Sequence, residues 1–341
     1  INIEEETLLS DNKTTCYRNK AQYPVSFDRQ LKIGFFAPRS HRVVDCENCI
    51  LQPPIFADIV KIFRKFIIKN GITVYDSEKH TGLLRHIYLR LAEATGEVMV
   101  CAVINGEDLP HKNELIEKLT EIPSVKSIVL NINCDRTNVI LGKECVTVWG
   151  NDCIYDVLCG VKVRLSPLSF YQVNHDMAQQ LYEKAAEYAC LSGKETVLDM
   201  YCGTGTIGLS MAKKAKRIIG AEIVPEAVLD AKRNALENGI ENAEFICADA
   251  GEAAQELSSR GIKPDVVLLD PPRKGCSEML LAEIVKMSPE RIVYVSCDPS
   301  TLARDCFRLK DLGYETKRLA AADLFPRTVH VESVALLTKQ K

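Results

Sequence analysis

Cys297 closes the run Arg291-Ile-Val-Tyr-Val-Ser-Cys297, and Asp298-Pro-Ser-Thr-Leu-Ala-Arg-Asp305 follows it directly. The run is short, apolar and β-branched, the pattern of a strand buried on both faces. Asp298 can cap a helix, Pro299 suits its first position, and Thr301 to Leu312 carry helical periodicity. A thiol is thus expected where a parallel strand ends and a helix begins, the place where open α/β sheets bind ligands. The positive end of the helix is expected to lower its pKa, with the Asp298 carboxylate partly opposing. A nucleophilic cysteine is the chemistry this arrangement suits.

A second group of residues offers a cofactor site. Val197-Leu-Asp199-Met-Tyr201-Cys-Gly203-Thr-Gly205-Thr206-Ile-Gly208 reads as strand, glycine loop and helix start. Gly203, Gly205 and Gly208 satisfy the dinucleotide spacing, and Glu222, 19 residues beyond Gly203, stands where an acid takes ribose hydroxyls. The spacing alone therefore fits NAD. Three residues separate Asp199 from the first glycine, however, and Leu-Asp-x-x-Cys-Gly-x-Gly is similar to the first motif of class I S-adenosylmethionine (SAM) methyltransferases. SAM carries a cationic sulfonium and no pyrophosphate, which favours carboxylates. Glu222 is expected on the ribose and Asp249, ending Phe245-Ile-Cys-Ala-Asp249, near the adenine amino group.

Two further acids complete a set. Asp270 ends Val266-Val-Leu-Leu and opens Asp270-Pro-Pro-Arg273; Glu332 lies in His330-Val-Glu332-Ser333 at the start of an apolar strand, where a carboxylate is costly without a purpose. Asp-Pro-Pro followed by an aromatic residue would mark amino-group methylation of adenine, but Arg273 occupies that position. The parts fit methylation of uracil C5. That carbon is too weak a nucleophile to attack a methyl sulfonium until a thiolate adds at C6, and a base must then remove the C5 proton.

From Ser169 to Lys341 the chain resembles the RNA uracil-C5 methyltransferases that form 5-methyluridine, and most the 23S ribosomal RNA enzymes. The motifs are Ser169-Phe-Tyr-Gln172-Val-Asn174, Leu198-Asp-Met-Tyr-Cys-Gly-Thr-Gly205, Leu269-Asp-Pro-Pro-Arg273, Val295 to Asp305 and His330 to Ser333. The resemblance implies Cys297 as nucleophile and Glu332 as base. It implies a SAM pocket lined by Gln172, Tyr201, Gly203, Gly205, Thr206, Glu222, Asp249 and Asp270, with Asp270 also near the target base. It implies Phe170 stacking on a flipped-out base. Tyr17-Arg18-Asn-Lys20 and His41-Arg-Val-Val-Asp45 resemble the family's central, RNA-holding domain, which adds Arg18 and Lys20 to the substrate contacts. Many members also hold a [4Fe–4S] cluster on three upstream cysteines and a fourth that Cys49 matches. Nothing before Cys16 supplies the other three. No metal is expected in this chain, and the cluster only in a longer native protein.

The elements that must position these residues divide the chain. Strands and helices alternate after about residue 165, which predicts a mostly parallel, Rossmann-like α/β sheet with helices on both faces over 165–341. Residues 1–164 mix short strands and helices without that rhythm and suit a smaller α+β, RNA-binding domain. At 341 residues two domains are expected. The net charge of −3 excludes a globally basic coat, yet Lys13, Arg18, Lys20, Arg29, Lys32, Arg39 and Arg42 face only Asp28 between residues 13 and 42. The 14 scattered cysteines suit a reducing cytoplasm. The start Ile1-Asn-Ile-Glu shows no signal peptide, and no apolar run reaches membrane-spanning length. A monomeric, cytoplasmic enzyme acting on 23S ribosomal RNA is expected. A transfer RNA substrate, an NAD-linked oxidoreductase and a non-catalytic RNA-binding module are the alternatives.

Overall fold

The computed structural model describes residues 4–6 and 8–340, so the first three residues of the N-terminal expectation lie outside it. The chain forms two compact units whose segments alternate along the sequence. One holds residues 1–13, 157–163 and 174–341, the other 14–156 and 164–173. The single boundary expected at 164–165 is thus replaced by four crossings. Ser166 to Val173 belongs to the second unit because the buried Arg90 guanidinium donates to the carbonyls of Ser166 (3.0 Å) and Ser169 (2.7 Å).

After β1 (Glu4–Glu5), the second unit contributes β2 (Lys20–Asp28), β3 (Gln30–Phe36), β4 (Val43–Asp45), α1 (Pro54–Asn70), β5 (Leu84–Leu91), β6 (Val98–Ile104), α2 (Lys112–Thr120), β7 (Val125–Ile132) and β8 (Glu144–Gly150). Its sheet runs β4-β3-β2-β5-β6-β7-β8, antiparallel except for the β6–β7 pair. Helix α1 starts at Pro53-Pro54 and ends at Gly71, which adopts φ 61°. Phe56, Ile59 and Phe63 recur on one face of it and pack into a core with Ile33, Ile87 and Val100. A two-stranded hairpin follows, β9 (Ile154–Leu158) and β10 (Val161–Leu165), of which β9 escaped the sequence reading.

The rest of the chain gives α3 (His175–Ala189), β11 (Thr196–Met200), α4 (Thr206–Met211), β12 (Arg217–Glu222), α5 (Pro225–Glu237), β13 (Ala243–Cys247), α6 (Ala250–Ser259), β14 (Val266–Leu269), α7 (Glu278–Met287), β15 (Arg291–Ser296), α8 (Pro299–Asp311), β16 (Tyr314–Ala322) and β17 (Glu332–Lys339). The sheet order is β1-β16-β17-β15-β14-β11-β12-β13. Strands β11 to β15 are parallel to their neighbours, while β17 runs antiparallel to both β15 and β16. The central parallel strands β14 and β15 are buried: Val266 to Leu269 and Ile292 to Val295 are each 3% exposed or less, which is why they read as unbroken apolar runs. Helix α6 is absent from the sequence expectation, since its small buried face of Ala250, Ala253 and Ala254 gives a weak periodic signal.

Candidate active site

The glycine loop is built by backbone that only certain residues tolerate. Strand β11 ends at Met200, and Tyr201, Gly203 and Gly205 then take φ values of 65°, 55° and 80° before α4 begins at Thr206. Glu222, ending the neighbouring β12, accepts the Gly203 amide at 3.1 Å and the Val224 amide at 2.9 Å. The Thr206 hydroxyl lies 3.1 Å from that of Thr204, whose carbonyl accepts from the buried Asn234 amide at 3.0 Å. Asp249, two residues beyond the end of β13, caps α6 by accepting the Gly251 amide at 2.9 Å.

Asp199 decides what the loop can hold. Its Oδ2 accepts the Gly208 amide at 3.0 Å, so a carboxylate already occupies the helix start that a pyrophosphate would need. Its Oδ1 is buried without a hydrogen-bond partner among the described residues. Burial, reinforced by the charges of Asp270 and Glu222, pushes its pKa up to about 7. An acid-lined loop with an orphaned buried oxygen fits the cationic SAM and opposes a dinucleotide.

The neighbouring strand ends carry the residues expected to take part in the chemistry. Asp270 follows β14, Cys297 follows β15, and Glu332 opens β17. Leu269 pairs with Tyr294 and Ser296 with Ser333, so Asp270, Cys297 and Glu332 arrive side by side on one edge of the sheet. That edge is continuous with the ends of β11, β12 and β13, which carry Tyr201, Glu222 and Asp249. Burial pushes the Asp270 carboxyl up to about 7. Burial, with the Asp270 charge, does the same to Glu332, which is 5% exposed, while Arg273 opposes it.

The expectation of a depressed Cys297 pKa is overturned. The thiol pKa is raised, first by burial and then by the charges of Glu332 and Asp270; its own backbone amide and Arg273 only partly oppose this. Asp298 caps α8 as expected, its Oδ1 accepting the amides of Ser300 (2.9 Å) and Thr301 (3.1 Å). Arg273, the cation acting on both Cys297 and Glu332, was not assigned a role from sequence, although the Asp-Pro-Pro-Arg motif displays it.

Sequence reasoning also missed a buried network behind this edge. Asp305, fully buried in α8, accepts the Tyr294 hydroxyl (2.7 Å) and the Cys276 amide (2.8 Å) on Oδ2. Its Oδ1 takes Arg304 Nε (2.9 Å) and Arg308 Nη1 (3.3 Å). Burial pushes the Cys276 thiol pKa up to about 12, with Tyr294 and Tyr201 beside it partly opposing. Gly275 sits at φ 72° where a Cβ would come within 2.5 Å of Asp305, so the 270–276 loop lies directly on that carboxylate. An acid at helical position 305 was the available signal; its partners on β15 and in the loop are not local in sequence.

The remaining expected residues lie in the second unit. Phe170 is 67% exposed. The Gln172 carbonyl accepts from the Asn19 amide at 3.0 Å, and the Tyr171 hydroxyl donates to buried Asp156 at 3.0 Å. Lys20 pairs with Arg90 across β2 and β5, and burial with the Arg90 and Arg18 charges pushes its pKa down to about 8. Lys13 instead belongs to the first unit and pairs with Asp176 at 3.2 Å. Cys46 is half-buried, and burial and Cys49 raise its pKa. Among the described residues no group of three His, Cys, Asp or Glu side chains is placed to hold a metal, so the residues present do not fit a [4Fe–4S] cluster, which needs four ligands. No helix among them is long and apolar enough to cross a membrane.

Comparison with known proteins gives one pattern. Residues 160–340 match the family model described as tRNA (uracil-5-)-methyltransferase. An uncharacterized RNA methyltransferase of Clostridium tetani is 47% identical over 340 residues, covering 99% of this chain and 74% of that protein. One from Halalkalibacterium halodurans is 48% identical over 329 residues, covering 96% and 72%. Among solved structures, the Pyrococcus abyssi tRNA (uracil-54, C5)-methyltransferase in complex with S-adenosyl-L-homocysteine superimposes with a TM-score of 0.83 at 30% identity, covering 98% of this chain and 79% of that one.

Proposed function

The chain belongs to the tRNA (uracil-5-)-methyltransferase family of SAM-dependent RNA methyltransferases, and on that premise we propose that it methylates carbon 5 of a uridine in 23S ribosomal RNA. Its parallel-sheet unit has the class I SAM-dependent methyltransferase fold. Bound SAM supplies an electrophilic methyl group; Glu222 would take the ribose, Asp249 the adenine edge, and Gln172, Tyr201, Gly203, Gly205, Thr206 and Asp270 the rest of the ligand.

In this reading the Cys297 sulfur bonds to C6 of the uracil, and the C5–C6 electron pair makes C5 nucleophilic. Asp270 accepts the ring N–H. Once C5 carries its new methyl, Glu332 removes the C5 proton, the double bond re-forms, and the C6–S bond breaks to free the thiolate. Phe170 stacks on the flipped-out base, while Arg18 and Lys20 hold RNA phosphates. Burial and the neighbouring charges of Glu332 and Asp270 raise the thiol pKa, which disfavours the thiolate.

The observation that carries the proposal is the Ser296–Ser333 register, which delivers a thiol and a buried carboxylate to one edge beside an acid-lined glycine loop. Transfer RNA is the second reading, favoured by the similarity to the Pyrococcus abyssi enzyme. The test is to incubate the protein with labelled SAM and transcripts of each RNA class and to identify the labelled nucleoside. The account expects 5-methyluridine in ribosomal RNA and none with Cys297→Ala. Label in any other base, or undiminished product from that variant, rejects it.

A further inference from the structure

Asp305 is a fully buried carboxylate that no step above uses. It lies in α8, the helix that starts directly after Cys297 and its cap Asp298. Burying an acid is costly unless its oxygens are engaged, and here each oxygen meets two donors. Oδ2 holds the Tyr294 hydroxyl from β15 and the Cys276 amide from the loop that follows β14. Oδ1 holds Arg304 and Arg308 of its own helix. Those two cations reach onward. Arg304 Nη2 donates to the Lys274 carbonyl at 2.8 Å, and Arg308 Nη2 pairs with Glu278, in the first turn of α7, at 2.6 Å. Helix α8 therefore grips the chain at residues 274, 276 and 278.

The stretch just before that grip is stiff. Pro271 and Pro272 have a fixed φ, and the Pro272 carbonyl accepts the Gly275 amide at 2.8 Å. Gly275 sits at φ 72°, where an added Cβ would come within 2.4 Å of Arg304 Nη2, so the loop backbone lies against the Asp305–Arg304 pair with no room for a side chain. Arg273, midway along this loop, is exposed, so the backbone anchors on either side place its charge rather than packing of its own side chain. That charge acts on both Cys297 and Glu332. Burial, then the carboxylates of Glu332 on β17 and Asp270 in the loop, raise the Cys297 thiol pKa; its own amide and Arg273 lower it.

We propose that Asp305 is a positioning residue for methyl transfer. By joining the Cys276 amide to the Tyr294 hydroxyl, and by orienting Arg304 onto the Lys274 carbonyl, it fixes the 270–276 loop against β15 and so sets where Arg273 and Asp270 stand relative to Cys297 and Glu332. The inference rests on the uracil-C5 reading and adds to it a residue that touches no reacting atom.

The test compares the full chain with Asp305→Asn, which keeps the size and removes the charge. Arg304→Gln is the second variant: it breaks the Lys274 contact at a side chain that is 41% exposed, where the fold tolerates change. In Asp305→Asn, kcat for 5-methyluridine formation is expected to fall by about 10- to 100-fold with the KM for RNA unchanged. The pH midpoint for iodoacetamide alkylation of the Cys297 peptide, read by mass spectrometry, is expected to rise by about 0.5 to 1 unit, because mid-loop Arg273 is released while Asp270 stays at the strand end. Arg304→Gln should move both quantities in the same directions. A purely structural Asp305 would lower the melting temperature without moving that midpoint. Wild-type kcat in both folded variants, or a loss of kcat at an unaltered midpoint, overturns the positioning role. The midpoint is read without RNA or SAM, so its rise in a protein that makes no 5-methyluridine would reject the uracil reading while leaving the placement of Arg273 by Asp305 standing.

Discussion

Cys297 and Glu332 lie one residue beyond the Ser296–Ser333 pair, on strands that run in opposite directions, and the Glu332 carboxylate raises the pKa of the Cys297 thiol. A carboxylate and a thiol so placed are mutually antagonistic. Each disfavours the charged form of the other.

Removing the carboxylate charge should therefore expose the thiolate. In Glu332→Gln, alkylation of Cys297 by iodoacetamide at pH 8 is expected to run several-fold faster than in the wild type, and the apparent thiol pKa to fall. An unchanged or slower rate would show that burial alone sets the value.

Catalytic rate should depend on pH in the same sense. Glu332 must be ionised to act as base, and its pKa is pushed up to about 7. The value of kcat/KM is expected to rise from pH 6 to pH 8, and Cys297, raised from the ordinary thiol value, should extend the rise further. A profile that is flat between pH 6 and 8 would contradict the assignment.

Asp270 makes a stability prediction with a defined sign. The Asp270 pKa is raised to about 7 by burial, so the folded state favours its protonated form. That contribution to stability is fully present below the unfolded carboxylate value near pH 4 and is lost as pH rises through 7. Asp270→Asn should stabilise the protein at pH 8 by about 1–3 kcal/mol and hardly at all at pH 4. Urea denaturation at the two pH values measures this; equal effects at both would refute it.

Asp305 carries the opposite expectation. Asp305→Ala leaves the buried Tyr294 hydroxyl and Cys276 amide without their acceptor and removes the partner of Arg304 and Arg308. A loss of about 2–4 kcal/mol is expected in denaturant unfolding. A change below about 0.5 kcal/mol would mean that the network is dispensable.

What the sequence revealed follows from how local each signal is. The buried strands around Val197, Val267 and Val293 announce themselves as apolar runs, and Asp298 marks its helix because caps act within three residues. The Ser169–Gln172 segment was misplaced because its tether, Arg90, lies about eighty residues upstream. The Cys297 pKa was misjudged for a similar reason: the helix dipole could be inferred from adjacent residues, but the charges of Asp270 and Glu332 reach it only through the strand order β17-β15-β14. Asp305 looked like an ordinary helical acid until the 270–276 loop folded onto it.

The central claim, a covalent bond between Cys297 and a uracil ring that Glu332 resolves, has a direct test. Glu332→Gln should be incubated with SAM and substrate RNA, denatured, and examined by intact-mass spectrometry after nuclease digestion. The account predicts a denaturant-resistant adduct on the Cys297 peptide carrying one methylated uridine, abolished by the additional change Cys297→Ala. Accumulation of free 5-methyluridine with no adduct at any time, or an adduct that survives loss of Cys297, would contradict it.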